Sequence, residues 1–155
     1  PNITTLMEER ISIASAALEK ALDFVNVTTG QFSGFDTAYE TAASLYAQMA
    51  DLDGLTNQTK FKDVLKDTYF PQAEITRTDF LDEFTYGYAA VHAYFAYNDS
   101  DFLNFAEVSW NSGNRYTLSA SEIESGVMSL KSFPILQSCS GNTMAGGTFS
   151  VSPLS

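Results

Sequence analysis

Apolar residues recur at three- and four-residue steps through about the first 126 positions, and the recurrence fails after Gly126. Ile3, Leu6, Met7, Ile11, Ala14, Leu18, Ala21, Leu22 and Val25 predict a helix over 3–26. Thr4 or Thr5 is its candidate cap, and Glu8 and Glu9 fall where the helix dipole favours negative charge. Asn26 to Gly34 carries Gly30 and Gly34 and breaks the pattern. Ala38, Tyr39, Ala42, Ala43, Tyr46 and Met49 then predict a second helix over 36–51, antiparallel to the first. After a turn region over 51–57, a shorter helix over 58–69 places Phe61, Val64 and Leu65 on one side, and Pro71 is expected to stop it. A helix over 79–97, a turn at Asn98-Asp99-Ser100 and a helix over 101–112 follow. The last carries Phe102, Phe105, Ala106, Ser109 and Trp110 as one stripe. A short helical piece is predicted over 120–125. The Ser-, Gly- and Thr-rich remainder predicts loop with short extended pieces.

The fold class expected is therefore all-α, an array of helical hairpins over 1–126 followed by an irregular tail over 127–155. Within it, the 79–97 helix stands out. Phe80, Phe84, Tyr86, Tyr88, Tyr94, Phe95 and Tyr97 surround it, spaced by alanines and Gly87. A helix apolar over most of its circumference is expected to be buried. Its N-terminal end carries the adjacent carboxylates Asp82 and Glu83.

Charge narrows the partners. Eight basic against nineteen acidic residues leave a net charge of −11, which repels nucleic acid and anionic lipid. No apolar run reaches the roughly 18–20 residues that span a bilayer. Four Asn-X-Ser/Thr sequons, at Asn2, Asn26, Asn57 and Asn98, fall at expected helix ends or loops and point to a secreted glycoprotein. The single cysteine, Cys139, is then either a buried thiol or one half of an interchain disulfide.

Two carboxylates are what glycoside hydrolysis needs, one as nucleophile or base and one as proton donor. Asp82 and Glu83 meet that requirement in residue type; acidic residues in a first helical turn also serve simply to stabilise the dipole. Tyr86, Trp110 and Tyr116 are the candidate sugar-stacking residues, against the competing reading of aromatic core. His92, the one histidine, is expected as a hydrogen-bonded core residue. One Cys and one His make no metal-ligand set, and neither a Walker motif nor a GxGxxG motif is present, so no cofactor is expected.

The run DEFTYGYAAVHAYFAYNDSDFLNFAEVSW, with YTLSASEIESG and SFPILQSCSGNTMAGGTF downstream, resembles glycoside hydrolase family 76, the α-1,6-mannanases, in its fungal members. The likeness spans about Leu81 to Phe149. It implies an (α/α)6 toroid of six hairpins, retaining hydrolysis of mannan, Asp82 as nucleophile and the following acid, here Glu83 rather than Asp, as acid/base. The chain supplies about half of such a toroid. The resemblance therefore implies an incomplete ring, and either a C-terminal companion chain, for which Cys139 is a candidate tether, or self-association through open faces. The alternative is a non-catalytic glycan-binding or self-assembling extracellular protein.

Overall fold

The computed structural model describes residues 4–34, 41–75, 83–128, 130, 135–136 and 138–148. Among the described residues the chain is mostly helical, with two small two-stranded sheets. Helix α1 spans Met7–Leu22 and α2 spans Thr41–Thr56. Between them Val25–Asn26 (β1) pairs antiparallel with Gln31–Phe32 (β2), a hairpin within the segment expected only to break the helix. Gly30, at φ +66°, makes the turn, and the Tyr46 hydroxyl donates to its carbonyl. Neither Thr4 nor Thr5 caps α1, whose N-cap is Leu6 without a side-chain bond. Of α1 only Leu18 is buried; Ile11, Ala21 and Leu22 are half-buried, and Met7 and Ala14 are exposed.

The helix expected over 58–69 does not stop at Pro71. It runs from α3 (Lys62–Val64) through a π turn (Leu65–Tyr69) into α4 (Phe70–Ile75). In the π turn the Phe70 N–H reaches back to the Leu65 carbonyl, which shifts the hydrogen-bond register just before Pro71. Pro71 thus sits in the first turn of α4, where a missing N–H is tolerated. Helices α5 (Glu83–Tyr97) and α6 (Ser100–Asn114) form the expected hairpin, and Asp99 caps α6 by accepting from the Asp101 N–H at 3.2 Å. Helix α7 (Ala120–Ser125) carries a capping box, Ser119 with Glu122, and ends on Gly126 at φ +70°. Among the described residues no helix is long and apolar enough to cross a membrane.

The core lies where α2, the α3–α4 segment, α5 and α6 meet. Tyr46 stacks on Tyr69 at 5.1 Å and meets Phe70 and Tyr86 edge-on, and Phe70 continues the cluster to Phe102 and Phe105. From α2 come Ala42, Ala43, Met49 and Ala50; from α5 come Ala89, Ala90 and Ala93. Small residues at these positions bring the α2 and α5 backbones close together. Helix α5 is not buried all round, as its composition suggests. Its alanine face is buried, whereas Tyr88 and Phe95 are 62% and 79% exposed.

The tail packs on the helices through a second, smaller core of Leu118, Ile123 and Met128, against which Ile135, Met144 and Ala145 lie. Ser138–Cys139 (β3) and Asn142–Thr143 (β4) pair antiparallel across Ser140 and Gly141, both at positive φ. Thr117 and Thr148 form a bridge, and Leu118 exchanges backbone bonds with Gly146 and Gly147.

Candidate functional site

Helices α5 and α6 approach closely because two glycines face the seam. A Cβ on Gly87 would lie 3.0 Å from the Ser109 Cβ, and one on Gly113 would come within 2.5 Å of the Phe84 ring. Gly113 therefore lets the Phe84 ring rest over α6, where it meets Trp110 at 5.5 Å between ring centroids. Phe84, Tyr88 and Val91 recur at helical spacing on α5, and with Trp110 they wall a groove of about 560 Å³. Asn114 from the end of α6 lines it as well, with Thr117 and Thr148, whose hydroxyls lie 2.9 Å apart. Aromatic rings together with an amide and two hydroxyls in one groove suit a ligand with one apolar face and a hydroxylated edge.

Trp110, 59% exposed, is the one expected sugar-stacking residue that the fold leaves available. Tyr86 is only 1% exposed and accepts a hydrogen bond from Gln31 Nε2 at 2.6 Å, and Tyr116 is 8% exposed. Both are core residues, a correction that follows from the alanine side of α5 and the close of α6 turning inward. Glu83 is the first residue of α5; Asp82 lies outside the described residues, as does Asn2. The sequon residues Asn26, Asn57 and Asn98 are exposed, the last two at left-handed turn positions with φ of 52° and 49°. Cys139 is an exposed free thiol on β3, not a buried one.

Phe84 and Tyr88 were missed as site residues. Their spacing with Val91 carries the signal, since Tyr86, Ala89, Ala90 and Ala93 occupy the opposite stripe. His92 does form the expected side-chain bond, to Asp51 Oδ1 at 2.6 Å, but at the surface of the α2–α5 seam rather than in the core. Its ring lies against Tyr88, 4.3 Å between centroids. On another side of the hairpin, Lys62 and Lys66 contact Asp99, and Lys66 also contacts Asp101. These bonds hold the Asp99 carboxyl well below the usual carboxylate range and push the Lys66 ammonium above the usual lysine value. That cluster serves the α6 cap and lines no part of the aromatic groove.

Compared with protein-family models, curated proteins and solved structures, the chain has no match in any of the three.

Proposed function

We propose that this chain is a secreted glycan-binding protein related to the α-1,6-mannanases, and that it holds a mannan-like glycan in the groove between α5 and α6. The observation that carries this reading is the exposed Trp110 beside Phe84, with Tyr88, Asn114, Thr117 and Thr148 lining the same groove. A pyranose presents C–H groups on its face and hydroxyls around its rim, so the rings take the face and the amide and hydroxyls take the rim. Trp110→Ala is expected to lower affinity for an α-1,6-manno-oligosaccharide at least tenfold with helicity unchanged, measured by calorimetry and circular dichroism. Unaltered affinity would overturn the assignment of the groove.

Hydrolysis is the second reading, favoured by the sequence order of the acidic pair and the groove. Asp82-Glu83 immediately precedes Phe84, the first groove residue on α5. In retaining hydrolysis Asp82 would attack the anomeric carbon while Glu83 protonates the departing oxygen, and Glu83 would then deprotonate the water that releases the sugar. Asp82→Asn is expected to abolish the release of reducing sugar while leaving glycan binding intact. Binding without any release by the wild-type chain would leave the non-catalytic reading alone. A C-terminal companion chain or a second copy, tethered through Cys139 or held by apolar faces, belongs to both readings.

A further inference from the structure

A second groove, of about 250 Å³, runs along the seam between α2 and α5. Ser44, Gln48 and Asp51 line it from α2 at steps of four and three, and Thr85, Tyr88 and His92 line it from α5 at steps of three and four. Ala43 and Ala47 line it too, and beside them stand two hydroxyls, an amide and a hydrogen-bonded Asp–His pair. Tyr88 belongs to both grooves. Asp51 accepts from Nδ1–H of His92, which leaves Nε2 as the ring's second hydrogen-bonding atom. Nε2 has no hydrogen-bond partner among the described residues. Gln48 contributes both a donor and an acceptor, and Ser44 and Thr85 contribute hydroxyls. Polar groups of both hydrogen-bonding senses beside an exposed ring match a neutral polyhydroxylated ligand better than an anion or an apolar chain.

We infer that the α2–α5 groove is a second sugar subsite, continuous over Tyr88 with the aromatic groove, so that one glycan chain of several units occupies both. The inference rests on the glycan reading of the first groove. His92 acts here as a binding residue, its Nε2 hydrogen-bonded to a sugar hydroxyl while Asp51 fixes the ring. Stacking on Tyr88 lets consecutive sugar units share one aromatic wall.

The chain carries its own reporters, since Trp110 is its one tryptophan and His92 its one histidine. The full chain is titrated with α-1,6-linked mannohexaose while Trp110 fluorescence and the His92 imidazole nitrogen resonances are followed. The expected result is that both signals move with one common midpoint, and that His92→Ala weakens binding at least fivefold without altering the circular dichroism spectrum. Fluorescence that responds while the imidazole resonances stay still would overturn the second subsite and leave the first groove standing. Two separate midpoints, or a response at His92 alone, would overturn the continuity over Tyr88. No response in either signal would remove the glycan reading itself. The resonance experiment uses the unaltered chain, so a variant that fails to fold does not leave the inference undecided.

Discussion

Asp53 is 1% exposed, and it joins three segments. Its Oδ2 accepts from the Phe61 N–H at 2.7 Å and from the Tyr97 hydroxyl at 2.8 Å, tying α2 to the turn before α3 and to the end of α5. The second oxygen is buried without a hydrogen-bond partner among the described residues. Burying a carboxylate is costly, and two good donors offset only part of that cost. Burial, followed by the bond to Asp53, also pushes the Tyr97 phenol well above its ordinary value. Asp53→Ala is expected to destabilise the chain by about 1–3 kcal/mol for each orphaned donor, read from the midpoint of urea unfolding at unchanged slope. The sequence hid this residue. Asp53 lies in a segment that, with Gly54, reads as a turn, yet α2 continues through it to Thr56. Gly54 is tolerated because a side chain there would crowd Ala96 of α5, with a Cβ only 3.3 Å away.

At the scale of elements, the start of α6 is tied to the α3–π-turn segment through Asp99. The carboxyl caps α6 and contacts Lys62 and Lys66, and Lys66 bonding dominates the downward shift of its titration. A carboxyl lowered on folding contributes stability that is present above its unfolded value of about 4 and is lost as pH falls through the folded value. Lys66 is shifted the opposite way, so its contribution is present below about pH 10 and is lost on further alkalinisation. Asp99→Asn, which keeps a capping side chain but loses the charge beside Lys62 and Lys66, is therefore expected to melt below the wild type at pH 7, with the gap narrowing as pH falls below about 4. A melting series across pH checks both limits. The Asn98-Asp99-Ser100 turn was legible because its residue types cap helices. The lysines that converge on it come from a segment some thirty residues earlier, where local pattern carries no information.

At the scale of the whole molecule, several large apolar side chains among the described residues are left uncovered. Leu55, Tyr88, Phe95 and Trp110 are each well over half exposed, and Leu6, Met7 and Ile13 expose the outer part of α1. Where such side chains adjoin, they mark interaction surfaces. Sedimentation is expected to show the average mass rising from 17.0 kDa with concentration, and Phe95→Ser is expected to shift the rise to higher concentration. A mass that stays constant over a hundredfold range would argue that these faces do not associate.

Periodicity and breakers determined that the chain is helical, that two helices flank a turn at 98–100, and that the helical pattern fails after Gly126. Those features depend on neighbours in the chain, where spacing, caps and breakers act directly. Tertiary structure decided which side of each helix counts. It turned Tyr86 and Tyr116 inward and left Tyr88 and Trp110 outside, because close α2–α5 packing takes the alanine stripe and Gly113 makes room for Phe84. It also brought Asp51 to His92 across two helices. An aromatic residue has the same apolar area on either side of a helix, so only the partner helix determines whether its ring becomes core or groove.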